Sequence, residues 1–366
     1  MPILWRYLLR NYFQALALCV CSFISILIVI RFQEIARFAS SGTSFFTVFL
    51  FTLYQIPFLL PIAIPISCLI AAILVFQRLS HTHELTALRA CGLGLKAVFG
   101  PLMLDGSFLG LLNFTIVSEL SPYCRSLSKE LVYNVTRVNP LFLLQKETMI
   151  KLKNAYIDMK ALRNKGKKAE DVIFIINNPS HGRLGLMTAK ELILEKDLLI
   201  GRQVTLISSI DTKKTEGFDH LVIESQTSMS TKAENFSQFL QDSGWYFKEE
   251  YLSLRMLLAK EFVQKKYPLL FSSGTYQEIT RRFTLGFAAF TFTFLGTAFG
   301  MEISRNRSKK GLIWAIALSA AFMVCFVLAK SFRHSPLLAI FIYLAPHPVI
   351  LWSSLRFMKK ISKGVE

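Results

Sequence analysis

The chain has 366 residues, 52% of them hydrophobic and only 18% charged, well under the roughly 25% charged residues of soluble domains, which excludes a wholly soluble protein. A net charge of +18 would point to nucleic acid in a soluble domain, but residues 119–282 carry 25 basic and 19 acidic side chains, so most of the excess lies in the apolar remainder. That distribution sets nucleic acid aside as a partner.

A hydrocarbon core of about 30 Å needs about 20 helical residues, and six apolar runs meet that length: residues 12–30, 47–76, 97–117, 283–301, 312–331 and 337–355. Arg6 and Arg10 precede the first run in the manner of a secretory leader. That run is longer than a leader's apolar stretch of about 7–15 residues and no small-residue cleavage pattern follows, so it reads as a retained first span. The second run carries Pro57, Pro61 and Pro65, each of which removes a backbone donor, so a bent or broken helix is predicted there.

Residues 77–96 connect the second and third spans and read QRLSHTHELTALRACGLGLK. Ser80 or Thr82 is placed to cap a short helix and Gly92 to end it, which puts Leu85, Leu88 and Cys91 on one stripe beside Glu84 and Arg89. His81, His83 and Glu84 are close in sequence, but helical residues two apart do not share a face, so they do not form a metal site. Asp105 in the third run and Glu302 after the fourth are acidic groups whose expected roles are structural pairing and interface placement.

Past the third span, residues 120–144 continue as a helix toward Asn139-Pro140, and the pattern then turns to short β-like runs. These are residues 149–152, 155–159, 172–176, 184–194, 204–210 and 220–224, separated by Asn, Gly, Asp and Lys clusters. Many short strands with polar turns predict a sandwich or jelly roll. Residues 238–267 regain helical spacing and lead back toward the bilayer. Asn134-Val135-Thr136 and Asn235-Phe236-Ser237 match the glycosylation pattern through composition alone. Of the six cysteines only Cys124 falls in the inserted region, so no disulfide framework is expected there.

Lys and Arg in the short connections set the orientation. One side holds 13 of them, among them Arg6, Arg10, Arg78, Arg89 and the basic residues near positions 305–310 and 356–363, against Arg31, Arg37, Lys330 and Arg333 on the other. Both termini are therefore expected in the cytoplasm. The fold class read from these features is an α-helical polytopic membrane protein with six spans in a three-plus-three arrangement. Residues 1–118 form membrane half one, 119–282 a periplasmic β-jelly-roll-like domain with helical flanks, and 283–366 membrane half two. There is no G-x-x-x-x-G-K-[ST] phosphate loop, no H-E-x-x-H zinc pair and no G-x-S-x-G elbow. The reading is thus of a chain that is not an enzyme and needs no cofactor, with any nucleotide hydrolysis on another chain.

The segment Glu84-Leu85-Thr86-Ala87-Leu88-Arg89-Ala90-Cys91-Gly92 resembles the E-L-x-x-L-x-A-[SC]-G loop of the lipopolysaccharide-export permeases, the LptF/LptG family. Asn139-Pro140, Arg281-Arg282 and Leu295-Gly296 through Gly300 are similar to that family too, whereas Ala298 stands where it often has Pro. Cys91, where other members have Ser, leans to the LptF branch.

The resemblance implies a half-transporter of the bacterial inner membrane that pairs with its LptF or LptG paralogue and with an LptB-type ATPase dimer. It implies lipopolysaccharide as cargo, passed to LptC and LptA-type periplasmic proteins. The loop becomes the ATPase-coupling helix, with Glu84, Leu85, Leu88, Arg89 and Gly92 as its residues. Arg31, Glu34 and Arg37, with Lys330 and Arg333, are interface anchors on charge and position alone. The resemblance makes them candidate substrate-binding residues, the basic ones holding the cargo's phosphates and Glu34 keeping the arginines oriented. A second class stays open: a membrane-anchored sensor or assembly scaffold whose β domain binds a ligand without transport. A scaffold has no use for the displayed loop, so copurification with an ATPase separates the two.

Overall fold

A computed structural model of the chain describes residues 3–40, 43–138, 141, 150–152, 155–163, 168–178, 183–195, 198–210, 220–233, 248–266, 274–301, 310–332 and 335–362. It divides into two compact units: Met1–Ile30, Tyr54–Arg125 and Phe247–Glu366 make one, and Arg31–Leu53 and Ser126–Tyr246 the other.

Among the described residues six helices are long and apolar enough to cross a membrane. The first span is Ile3–Ile30 and the second is Phe45–His81. The third, Leu95–Thr115, continues through a π-helical turn, Ile116–Leu120, into Ser121–Val138. The fourth is Gly274–Phe299 and the fifth Lys310–Ser331. The sixth is split into Pro336–Leu344 and Pro346–Ser362. The break expected in the second span is absent, since its 37 residues run as one helix through all three prolines. It falls instead at Ala345 in the sixth, where Pro346 begins the next helical segment and has no N–H to join the previous one.

Helix continuity across a proline needs a new donor for the stranded carbonyl, because bilayer interiors supply no water. Pro65 cannot donate to Pro61, and Asn113 of the third span donates its Nδ2 to the Pro61 carbonyl at 3.2 Å and to the Leu285 carbonyl at 2.8 Å. One fully buried amide thus ties the second, third and fourth spans together. Small residues bring the same helices into contact. A Cβ on Gly286 would lie 2.7 Å from the Cβ of Phe114, and one on Gly296 would lie 2.6 Å from the Leu69 carbonyl oxygen.

The fourth span is the centre of this unit, with 78% of its apolar window buried against 6% for the first span. One core joins Leu8 and Tyr12 of the first span, Cys68, Phe76 and Leu79 of the second, Val98 and Leu102 of the third and Ala289 of the fourth. Another joins Leu69 and Ile73 of the second span to Phe292 and Leu295 of the fourth, Phe322 of the fifth and Ile350 of the sixth. The second and fourth spans therefore belong to both cores.

The other unit holds a short helix, Phe32–Ser40, whose buried Phe38 stacks on Phe51 at 4.5 Å, and an antiparallel sheet. Its strands are β1 (Ile150–Leu152), β2 (Ala155–Asp158), β3 (Ala161–Arg163), β4 (Lys168–Asn178), β5 (Arg183–Glu195), β6 (Leu198–Ile210) and β7 (His220–Lys232). The order is β1-β2-β4-β5-β6-β7, with β3 also pairing with β4. Described pairings are those of a meander, and the crossing connections of a jelly roll are not among them. Predicted strands match all but β3; β4 and β6 begin four and six residues before their predicted starts, and β7 runs eight residues past its predicted end.

Buried positions do not keep strict alternation. Ala169 and Val172 on β4, Ala189 and Leu192 on β5, and Leu199 and Val204 on β6 all face the core, an odd number of residues apart. The change of face falls on one row across the sheet, where Asp171 and Gln203 both have φ of 50° and lie level with Lys190 between them. Beside that row the like charges Glu170 and Glu191 are paired across β4 and β5. Lys168, 2.9 Å from Glu191, offsets the repulsion and holds the Glu191 carboxyl below its ordinary pKa, with Arg202 adding to the effect.

Candidate functional site

The loop helix forms at Glu84–Ala90. Its N-cap is His83, in a left-handed conformation, rather than Ser80 or Thr82. Its end is the predicted one. Gly92, at φ of 80°, donates to the Arg89 carbonyl at 3.0 Å, and Leu93 donates to the Leu88 carbonyl at 3.1 Å. These two bonds make the reverse turn that glycine permits at a helix C-terminus.

The five residues singled out in this loop separate by direction. Leu85 is 1% exposed and sits in the chain's own core with Leu8, Leu79 and Val98, and Leu88 is packed partly against the same core. They anchor the helix and leave Thr86, Ala87, Ala90 and Cys91 as its exposed face. Arg89 is half-buried and Gly92 exposed. The apolar stripe read from the sequence is real, but it points inward, except at Cys91.

Glu84 lies at the boundary of the two faces and its carboxylate is already held. The Tyr7 hydroxyl, on the first span, donates to Oε2 at 3.0 Å, and Thr82 Oγ1 lies 3.0 Å from Oε1 and 2.9 Å from the Arg78 carbonyl. Each carboxylate oxygen has a further lone pair, so an incoming cation can still bind. Tyr7 was not identified from the sequence, where an aromatic near the start of an apolar run reads as an interface anchor.

At the far end of the first span, Arg31 Nη1 is 2.6 Å from Glu34 Oε1, and Arg37 is exposed in the last turn of Phe32–Ser40. Lys330 is exposed in the last turn of the fifth span. Arg333, Glu302, the Asn139-Pro140 pair and residues 234–247 lie outside the described residues.

Two further buried features lie in the helical unit. The Asp105 side chain is 8% exposed with no hydrogen-bond partner at Oδ2, while Tyr12 and Thr293 hydroxyls are 3.3 Å apart. An apolar groove of about 370 Å³ opens between the third and fourth spans, where Phe114, Phe283, Phe287 and Phe290 surround Gly110 and Gly286. Among the described residues no three His, Cys, Asp or Glu side chains gather as metal ligands.

No curated protein sequence matches the chain. The family model described as "Lipopolysaccharide export system permease LptF/LptG" matches residues 6–360, nearly the whole length and all six spans. The chain is a multi-pass inner-membrane protein and belongs to the LptF/LptG family of lipopolysaccharide export permeases.

Proposed function

We propose that the chain is the transmembrane permease subunit of an ABC-type exporter that extracts lipopolysaccharide from the outer leaflet of the inner membrane. It passes the lipid to a periplasmic bridge of LptC and LptA-type proteins and is powered by an LptB-type ATPase dimer. Its paralogue supplies the other half of the membrane path. Residues 1–118 and 283–366 serve as the membrane halves, and residues 119–282 as the periplasmic domain with helical flanks.

The observation that carries this reading, beside family membership, is the loop helix. It is anchored by Leu85 and turned by Gly92 so that a face of small residues, bordered by the Glu84 carboxylate, is left open. Small side chains let a short helix lie close in a groove, and a fixed carboxylate recognises a guanidinium or ammonium in charge-assisted hydrogen bonds. Arg31 and Arg37, and separately Lys330 and Arg333, are assigned to the cargo's phosphates. Glu34 orients Arg31 and keeps lipid binding weak enough for release.

A hydrogen bond to a charged group is worth about 1.5–3 kcal/mol, so Glu84→Ala weakens ATPase association by on the order of tenfold or more. Ala87→Arg blocks the open face sterically and has the same effect, while both variants insert and accumulate like the parent because the Leu85 anchor is intact. The measurement is copurification of the ATPase with the tagged permease pair, followed by lipid release on ATP addition. Parent-like association and release in both variants would sink the coupling role of the loop. A parent chain that retains no ATPase would move the protein to the scaffold class.

A further inference from the structure

Arg282 is fully buried and contacts three separate stretches of chain. Its Nε donates to Glu278 Oε1 at 2.9 Å, Nη1 to the Ser118 carbonyl at 3.2 Å, and Nη2 to the carbonyls of Glu249 at 3.0 Å and Leu252 at 2.7 Å. Four of the five guanidinium N–H groups are therefore used, three of them on backbone. Ser118 lies in the π-helical turn through which the third span leaves for the inserted segment, and Glu249–Leu252 is where the chain comes back.

Local sequence explains why these carbonyls are available. Pro122 stands four residues after Ser118 and has no N–H to offer its carbonyl. A π-helical turn marks the place, a geometry that recurs at functional positions. On the returning side the chain is a single turn of 3₁₀ helix, Glu249–Tyr251, leading to extended backbone at Leu252. Glu278 also takes Arg281 in two bonds of 2.8 and 2.6 Å, so the buried charge is compensated within the first turns of the fourth span. Around the guanidinium the same two stems meet again. Arg125 Nη2 lies 2.7 Å from Glu250 Oε2 with its guanidinium over the Tyr251 ring, and within the returning stem Lys260 Nζ lies 2.8 Å from Glu249 Oε1.

We propose that Arg282 is a positioning residue that fastens the outgoing and returning stems of the inserted segment to the fourth span, so that displacement of that span moves both stems together. Residues 126–246 lie between those stems in sequence, so the helix most buried in the membrane unit holds both covalent connections to that stretch of the sheet-bearing unit at one side chain. A lysine keeps the charge but, with one nitrogen, cannot span Ser118 and Leu252 as the guanidinium does. The transport arm of the test rests on the function proposed above; the exchange arm does not.

The variants are Arg282→Lys and, because the former alters a buried charge site, the milder Pro122→Ala, which gives the Ser118 carbonyl a donor of its own. Each is purified in lipid nanodiscs, as the full chain alone for the exchange arm and with the paralogue and ATPase for the transport arm. Amide hydrogen exchange at residues 119–123 and 250–253 is then read alongside lipopolysaccharide released per ATP hydrolysed. Fastening predicts at least tenfold faster exchange at 250–253 in Arg282→Lys, a smaller rise there in Pro122→Ala, and ATP hydrolysis within twofold of the parent. It also predicts at least a fivefold loss of lipid released per ATP in Arg282→Lys. A purely structural role lowers hydrolysis and release in proportion and leaves the ratio unchanged, and that outcome overturns the proposal. Unchanged exchange at the return turn in both variants overturns it as well. If the parent complex itself releases no lipid, the transport reading fails and the exchange result alone decides whether Arg282 fastens the stems.

Discussion

The Tyr7 hydroxyl and the Glu84 carboxylate are 77 positions apart in sequence and 3.0 Å apart in space. Because one belongs to the first span and the other to the loop helix, the bond ties the docking face proposed for the ATPase to a lipid-side helix. An oriented carboxylate loses less freedom when a cation arrives than a mobile one does. Tyr7→Phe is therefore expected to weaken ATPase association by about two- to fivefold, a partial loss beside that of Glu84→Ala, consistent with a net hydrogen-bond value of about 0.5–1.5 kcal/mol. Titration of the permease pair with the ATPase checks this, and tighter association in the phenylalanine variant would show that the hydroxyl competes with docking instead. Glu84 stood out in the sequence as a candidate because the loop motif carries it. Tyr7 was not, since nothing in a linear pattern marks which aromatic reaches a carboxylate on another helix. Leu85 was legible as apolar, yet its direction depends on the neighbouring spans.

Among the elements, the second span carries three prolines in one unbroken helix, although a bent or broken one was predicted. At Pro65 the carbonyl four residues earlier finds another donor, since Asn113 supplies one to Pro61. Leaving a buried acceptor unpaired costs about 1–3 kcal/mol. Asn113→Leu is expected to lower thermal stability in detergent by that amount, and adding Pro65→Ala restores part of it by returning an N–H to Pro61. Differential scanning fluorimetry on the two single variants and the double variant gives the coupling. Independent, additive losses would remove Asn113 from this role. The six spans themselves were plain because apolar length is a one-dimensional signal. In the sheet, β3 is too short for a pattern, and the polar ends of β7 belong to exposed backbone pairing. The row through Asp171, Lys190 and Gln203 reverses the inward face in mid-strand, which breaks the period-two signal on which strand reading relies.

Across the whole molecule, the 13 to four division of basic residues in short connections predicts a single topology. A reporter joined after Gly92 or at the C-terminus is expected to read as cytoplasmic, and one joined near Lys213 as periplasmic; a swapped signal at any of the three would invert the placement of both proposed sites. The two-unit organisation has a further meaning during biosynthesis. The fourth span holds the first half's unfinished business: Leu285 and Arg282 complete the polar contacts of Asn113 and Ser118, and its glycines admit Phe114 and Leu69. Yet the ribosome reaches that helix only after the inserted segment, on the order of ten to thirty seconds later at about 5–20 residues per second. For that interval the first three spans wait in the bilayer as a nascent half with an open seam, the stage at which chaperoning and proteolytic surveillance have most purchase on this protein.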